Sequence, residues 1–180
     1  MDNLISFPRL NESEIDLRVA VFNQIEEFFM DTAMTYVVCE NCKSLNRVAF
    51  DYLSGKAPVC GKCKSALSIH DGVSDLSVGT LDTLSHKCPL PVVVDFWAPW
   101  CAPCRAFAPT FIDAAKKLKG RVVFGKVDTQ AQPGAGEKFA VRGIPTLIIF
   151  LRGKEMSRTS GALPLNDFLN WIGKSIGAQI

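Results

Sequence analysis

The segment Val92-Val-Val-Asp-Phe-Trp-Ala-Pro-Trp-Cys101-Ala-Pro-Cys104 joins an apolar, β-branched run to two cysteines, and a helical pattern follows at once. A buried strand that enters a helix through a C-x-x-C pair is typical of a redox site. The two thiols are close enough to form a disulfide, and Cys101 falls where the amides and dipole of the helix N-terminus would stabilise a thiolate. We therefore expect Cys101 and Cys104 to be redox-active, with an inert structural pair or half of a metal site as the alternatives.

Charge and composition narrow the functional class. The 180 residues are 48% hydrophobic and carry a formal net charge of +2, which favours a globular protein and argues against a nucleic-acid partner. No apolar run approaches the length of a membrane span, and the first residues lack the cationic and apolar regions of a secretory signal. Six of the seven cysteines form three C-x-x-C pairs. This pattern favours metal thiolates and redox chemistry over a disulfide framework, so we expect a cytoplasmic protein with no membrane partner.

Composition also divides the chain into three parts. Residues 1–33 lack cysteine and carry apolar residues at helical spacing, which predicts an amphipathic N-terminal helix. Residues 34–71 hold two C-x-x-C pairs and few large apolar residues. Residues 72–180 alternate predicted strands and helices and end in a predicted hairpin, which indicates an α/β sandwich with added antiparallel strands. Three predicted features near the start of this part are a linker at 71–75, a short strand at 76–78 and a buried strand at 92–97.

Four landmarks of the third part resemble thioredoxin when they are taken in chain order. They are Val94-Asp-Phe-Trp-Ala-Pro-Trp-Cys-Ala-Pro-Cys104, Lys126-Val-Asp128, Arg142-Gly-Ile-Pro-Thr146 and Gly161-Ala162. The resemblance covers residues 75–180 and implies the thioredoxin fold, a central mixed sheet flanked by helices. It also implies a protein-disulfide reductase that works by dithiol–disulfide exchange without an organic cofactor. The implied partners are oxidised proteins as substrates and an NADPH-dependent flavoprotein, thioredoxin reductase, as the electron donor.

The same resemblance implies a role for each matching residue. Cys101 would attack a substrate disulfide, and Cys104 would resolve the mixed disulfide. Asp95 would be a buried carboxylate that moves the proton of Cys104, with Lys126 as its neighbour; a polar residue at a strand end and an ordinary exposed lysine are the alternatives. The residues that would border the substrate are Trp100, Ala102, Pro103, Gly143, Ile144, Gly161 and Pro145, the last matching the family's cis-proline. Ala102 stands where the commonest reducing thioredoxins have glycine, which leaves the reduction potential open.

The four cysteines of the second part predict a metal site. Cys39 and Cys42 form one C-x-x-C pair, Cys60 and Cys63 form another, and seventeen residues separate the pairs. This spacing matches a structural zinc ribbon with four thiolate ligands. A part this small buries too little apolar surface to fold unaided, whereas a bound zinc ion would stabilise it. Two disulfides or a redox relay are the alternatives. The ribbon is either a passive stability or docking module or a switch whose loss of zinc under oxidation alters activity.

A zinc ribbon joined to a thioredoxin domain resembles the second-type bacterial thioredoxins, which implies a role in oxidative stress. Residues 1–33 fall outside this resemblance and are either a real helix or the product of a start codon placed before Met34. Cys88 is predicted to be a passive, partly buried thiol, with regulatory oxidation as the alternative. Two functional alternatives are a partner-binding or regulatory zinc-ribbon module on a thioredoxin scaffold and a disulfide isomerase.

Overall fold

The computed structural model describes residues 34–50 and 58–177. The helix expected within residues 1–33 lies outside the described residues, so it stays a prediction. The described backbone forms a small two-stranded sheet and a six-stranded sheet with helices packed on its faces. The predicted central mixed sheet flanked by helices is confirmed.

The described strands and helices follow one another along the chain. The strands are β1 (Met34–Val38), β2 (Leu45–Ala49), β3 (Ile69–His70), β4 (Val73–Asp75), β5 (Val92–Trp97), β6 (Val123–Asp128), β7 (Thr146–Leu151) and β8 (Lys154–Ser160). The helices are α1 (Val78–Lys87), α2 (Ala102–Lys117), α3 (Pro133–Lys138) and α4 (Leu165–Ile176). β1 pairs with β2, and the larger sheet has the order β3-β4-β6-β5-β7-β8. β4, β6 and β5 are parallel, whereas β3, β7 and β8 are each antiparallel to a neighbour.

β5 is a central strand of the larger sheet, between β6 and β7, and helices cover both of its faces. Val94 and Phe96 pack into the apolar cluster that contains α1, and Val93 packs into the cluster that contains α2 and α4. Successive side chains of a strand point to opposite faces, so Asp95 shares the face of Val93. This alternation places the one carboxylate of β5 on the side of α2, the helix that begins between Cys101 and Cys104.

The structure corrects the prediction at the entry to the larger sheet. The predicted strand at 76–78 is wrong, since β4 ends at Asp75 and lies inside the predicted linker. Ser77 caps α1 instead: its Oγ accepts a hydrogen bond from the Thr80 amide at 3.2 Å, and the Ser77 amide donates to Thr80 Oγ1 at 2.8 Å. This capping box starts the helix at once. The boundary predicted after residue 71, between the second and third parts of the chain, falls in the turn between β3 and β4.

The small sheet packs directly against α1. Val38, the last residue of β1, is buried in the same apolar cluster as α1. Two residues further on, the carboxylate of Glu40 accepts hydrogen bonds from Ser77 Oγ at 2.9 and 3.0 Å. A carboxylate at a helix N-terminus interacts favourably with the unpaired amides and the dipole there. The loop that holds the first cysteine pair is therefore tied to the start of α1.

Candidate functional site

Cys101 and Cys104 form a disulfide at the start of α2. Their sulfur atoms are 2.04 Å apart, and at most 4% of the surface of either residue is exposed. Cys101 is the N-cap of α2, and its Sγ accepts a hydrogen bond from the Cys104 amide at 3.2 Å. Once the disulfide is reduced, the same amide and the helix dipole favour a thiolate at Cys101. The geometry therefore favours Cys101 as the attacking sulfur.

Asp95 and Lys126 lie opposite each other on the parallel strands β5 and β6. Asp95 is fully buried, and its Oδ2 is 3.9 Å from Nζ of Lys126. Neither carboxylate oxygen has a hydrogen-bond partner among the described residues. Burial raises the pKa of Asp95 to about 7, and the positive charge of Lys126 limits that rise. A carboxyl group of this pKa can exchange a proton with a thiol near neutral pH.

Trp97 holds the Lys126 ammonium beside Asp95. The Lys126 side chain is only 15% exposed, and its Nζ lies 4.2 Å from the centroid of the Trp97 ring. A cation over an indole face is attracted by the ring quadrupole. Trp97 follows Asp95 by two residues and therefore shares its face of β5, so the spacing of these two residues in the sequence already indicates that they are neighbours.

The loop before β7 brings a backbone carbonyl to the disulfide. The peptide bond between Ile144 and Pro145 is cis, and the Ile144 carbonyl oxygen lies 3.9 Å from Cys101 Sγ. The Gly161 amide donates a hydrogen bond to the Pro145 carbonyl at 2.9 Å. Thr146 Oγ1 donates to the Gly143 carbonyl at 2.6 Å. Four of the predicted substrate-contacting residues thus form one connected backbone structure beside Cys101 Sγ.

The other predicted substrate-contacting residues are exposed next to the disulfide in the chain. Trp100 is 68% exposed, and Ala102 and Pro103 form the exposed first turn of α2. A Cβ atom on Gly143 or Gly161 would meet no atom within 4 Å, so the surface at these two positions is open. An exposed indole can contribute a large apolar contact area to a bound peptide.

The four cysteines of the second part converge on one point. Their Sγ atoms all lie within 4.8 Å of one another, with 3.5 Å between Cys39 and Cys63 and 3.6 Å between Cys42 and Cys60. A tetrahedral zinc ion with Zn–S bonds of about 2.3 Å places its sulfur ligands about 3.8 Å apart. All four are free thiols, which disfavours two disulfides. The donor set and its spacing fit a zinc ion.

The two cysteine pairs lie in two separate turns that have the same conformation. A short sequence repeat, which was not predicted, corresponds to these turns. Residues 39–44 and 60–65 both read Cys-x-x-Cys-Lys-Ser. In each, the first cysteine amide donates to the serine carbonyl and the lysine amide donates to the first cysteine carbonyl, at 2.8–3.0 Å. The lysines, Lys43 and Lys64, have positive φ angles of 56° and 64°. Two copies of one turn therefore present two pairs of sulfurs to a common centre.

Asn46 of β2 connects these two turns. Its Oδ1 accepts a hydrogen bond from the Gly61 amide at 2.9 Å, and its Nδ2 donates to the Ser44 carbonyl at 2.9 Å. Asn41 Nδ2 donates to Ser65 Oγ at 3.3 Å, and that hydroxyl lies 3.4 Å from Cys63 Sγ. Hydrogen bonds around metal ligands orient them for the ion. Asn41 and Asn46 stand outside the repeated positions of the two turns, which is why these two residues were not predicted.

Comparison with known proteins assigns the family. The sequence profile of the family described as thioredoxin matches residues 79–174. The chain belongs to the thioredoxin family. Thioredoxin C-3 of Corynebacterium nephridii is 36% identical to this thioredoxin over 143 residues, which is 79% of this chain and 97% of that protein. Thioredoxin 1 of Chlorobaculum tepidum is 43% identical over 98 residues, covering 54% of this chain and 97% of the relative.

A solved structure agrees with this assignment. The crystal structure of chloroplastic thioredoxin z superposes with a TM-score of 0.55 at 27% identity, covering 59% of this chain and 96% of that one. This thioredoxin is therefore a thiol-disulfide oxidoreductase, a protein-disulfide reductase with a redox-active disulfide between Cys101 and Cys104. The match to Thioredoxin C-3 covers 143 of the 180 residues, so it includes the segment that holds Cys39, Cys42, Cys60 and Cys63. Of the helices that the structure describes, none has the length and apolar character needed to cross a membrane.

Replacing Asp95 with asparagine should stabilise this thioredoxin at alkaline pH. The folded-state pKa of about 7 is above the value of about 3.9 expected in the unfolded chain, so folding favours the protonated carboxyl. The cost of burying the charge is absent below pH 4, grows between pH 4 and 7 and is constant above. Asp95→Asn should raise the free energy of unfolding by as much as about 4 kcal/mol at pH 8 and by little at pH 4, at roughly 1.4 kcal/mol per pKa unit.

Denaturant unfolding of the oxidised protein at the two pH values measures this effect. Asp113→Asn, at an exposed position of α2, is the matched control and should change stability little at either pH. An equal gain from Asp95→Asn at pH 4 and pH 8 would contradict the assignment. In the reduced wild-type protein, ionisation of Asp95 near pH 7 should raise the rate at which substrate disulfides are reduced. Asp95→Asn should show no such rise with pH.

Proposed function

We propose that this thioredoxin reduces disulfides of oxidised proteins in the cytoplasm, is re-reduced by an NADPH-dependent thioredoxin reductase and acts in defence against oxidative stress. The proposal rests on one observation: the Cys101–Cys104 disulfide lies at the N-terminus of α2 with the Ile144 carbonyl beside it. The buried Asp95 carboxyl lies on the α2 side of β5. In this proposal residues 72–180 are the thioredoxin domain, and residues 34–71 are a zinc ribbon that supports it.

The proposed reaction moves two electrons from the dithiol to the substrate. The Cys101 thiolate attacks one sulfur of the substrate disulfide, which breaks the S–S bond and releases the first substrate thiolate. The Cys104 thiol then transfers its proton to the Asp95 carboxylate and attacks Cys101 Sγ. This second exchange breaks the mixed disulfide, releases the second substrate thiolate and forms the Cys101–Cys104 disulfide. Asp95 returns its proton to solvent or to the released thiolate.

Substrate binding would use the backbone next to the disulfide. The Ile144 carbonyl offers an acceptor that does not depend on the substrate's side chains, and the bond from Thr146 to the Gly143 carbonyl holds the backbone before it in place. Trp100 offers an exposed apolar surface on the other side of Cys101 in the chain. Recognition through backbone groups suits a reductase that acts on many protein disulfides.

We propose that Cys39, Cys42, Cys60 and Cys63 hold one structural zinc ion. Four thiolates complete a tetrahedral coordination shell, so the ion has no open position for chemistry and acts as a crosslink between the two turns. The burial of Val38 against α1 and the contact of Glu40 with Ser77 support a role for the ribbon in stabilising the thioredoxin domain. The ribbon is therefore assigned a structural role in this proposal.

The decisive experiment is reduction of insulin coupled to NADPH oxidation. Catalytic amounts of the chain, a bacterial thioredoxin reductase and insulin should together oxidise NADPH, and omission of any one of them should stop the reaction. A parallel reaction with dithiothreitol as the electron donor separates two claims. Turnover with dithiothreitol but none with the reductase would refute thioredoxin reductase as the electron donor. Absence of turnover with either donor would refute the protein-disulfide reductase activity.

A further inference from the structure

The loop at residues 139–145 carries Ile144 and Pro145 to the disulfide, and the β7–β8 hairpin anchors its far end. The Gly161 amide, just beyond β8, donates to the Pro145 carbonyl at 2.9 Å. Thr146, the first residue of β7, donates through Oγ1 to the Gly143 carbonyl at 2.6 Å. At the start of the loop, where α3 ends, the Val141 amide donates to the Gly136 carbonyl at 2.8 Å, and a group from β8 adds a second attachment.

Arg158 of β8 provides this second attachment. Its Nη2 donates to the Phe139 carbonyl and its Nη1 to the Ala140 carbonyl, both at 3.1 Å. The last carbonyls of a helix lack intrahelical partners, so these two bonds satisfy acceptors at the end of α3. Ala140 also has a positive φ angle of 50°, a conformation that residues other than glycine rarely adopt. The guanidinium therefore clamps the turn from which the loop leaves the helix.

Glu155, on the same strand, fixes the orientation of this guanidinium. Its two carboxylate oxygens accept from Arg158 Nε and Nη2, both at 2.6 Å. Across the strand pair, Arg158 is in register with Ile148, which is buried in the cluster against which Phe139 packs. A planar fork with several donors in fixed directions is a property of arginine that a lysine ammonium lacks.

We propose that Arg158 is a positioning residue of the redox site: by clamping the start of the 139–145 loop, it sets where Ile144 and Pro145 stand relative to Cys101. The inference rests on the proposed function, because it assigns a substrate-binding role to the loop. Arg158 does not touch the sulfurs or Asp95. Its loss should therefore weaken the binding of protein substrates and leave the thiol chemistry unchanged.

The test compares two oxidants with Arg158→Ala and Arg158→Lys in the full chain. Single-turnover oxidation of the reduced protein by a concentration series of insulin separates the limiting rate constant from the half-saturation concentration. Both variants should raise the half-saturation concentration about tenfold, since a small misplacement of a binding group is costly. The limiting rate constant, the rate with 5,5′-dithiobis(2-nitrobenzoate) and the equilibrium constant for reduction of the Cys101–Cys104 disulfide should each stay within about twofold of wild type. Arg121→Lys is the matched control, because its exposed side chain has no polar partner among the described residues.

Each result bears on the proposal. Wild-type kinetics in both variants would overturn it, as would wild-type kinetics in Arg158→Lys alone, because charge without the fork would then be sufficient. Equal losses with insulin and the small disulfide, together with a lowered unfolding temperature, would show a purely structural role and would also overturn it. A wild-type protein that is inactive toward insulin refutes the proposed function itself. An active wild type with unaffected variants refutes only the role of Arg158.

Discussion

Replacement of Cys101 by serine should reduce insulin reduction to the uncatalysed background, a loss of about a thousandfold or more. The hydroxyl of serine is not ionised near neutral pH, whereas the helix N-terminus at α2 favours a thiolate at this position. The first sulfur exchange therefore cannot begin. The NADPH-coupled insulin assay with wild type and variant measures the loss directly.

Cys104→Ser separates attack from resolution. Cys101 would still attack, but no second thiol would break the mixed disulfide. This variant should therefore accumulate a covalent adduct with a substrate, visible as an added mass that dithiothreitol removes. Substantial insulin reduction by Cys101→Ser would contradict the assignment, and an adduct on Cys101→Ser but not on Cys104→Ser would reverse the two roles.

Cys88→Ala is the matched control for both cysteine variants. Cys88 is a free, buried thiol, and burial raises its pKa to about 11, so it carries little thiolate at neutral pH. Alanine avoids placing an unpaired hydroxyl in the apolar cluster. The control should keep wild-type activity, which would show that the loss in Cys101→Ser is specific to the redox pair.

The second large effect is expected at the ribbon. Cys60→Ser should abolish stable metal binding and melt the described parts of the ribbon, residues 34–50 and 58–68, because structural zinc contributes on the order of 10–16 kcal/mol of apparent binding energy to small domains. The ribbon's own apolar cluster is small, with Val37, Val48, Leu67 and Ile69 as its buried members besides the two buried cysteines. This cluster cannot replace the crosslink.

Three measurements follow this change. Metal analysis should give one zinc ion per wild-type chain and none for Cys60→Ser, and hydrogen exchange should show lost protection in β1 and β2. Cys88→Ala is again the control and should keep one zinc ion. Insulin reduction by Cys60→Ser should remain within a few-fold of wild type, since the ribbon is assigned a structural role. Two disulfides and no metal in the native protein would overturn the zinc assignment.

The redox segment was predictable because its signals act over a few residues. A continuous β-branched run with no polar interruption until Asp95 predicts a strand buried on both faces, and β5 occupies Val92–Trp97 as expected. The final hairpin is present as β7 and β8. The three C-x-x-C pairs likewise predicted a redox site and a metal site, because two cysteines at that spacing have few other uses.

The strand predicted at 76–78 failed because a local capping signal competed with an alternating apolar pattern. Leu76 and Val78 flank Ser77 and so resemble a strand. Ser77 and Thr80 form a capping box in which threonine replaces the usual glutamate or glutamine, which hides it from a sequence search. Once the cap forms, Val78 is the first residue of α1 and the strand must lie earlier.

By itself, the sequence predicted the residues to which we assign function: a C-x-x-C pair at a strand-to-helix junction, four further cysteines with metal spacing and a carboxylate on the central strand. Such signals are local, and each depends on residues within about one turn of helix or a few positions of a strand. Only the tertiary structure decided which distant groups meet. It sets the Ile144 carbonyl against Cys101, Lys126 between Asp95 and Trp97, and Arg158 on the 139–145 loop. Those contacts depend on strand register and on the packing of helix ends, which no residue pattern in one segment encodes.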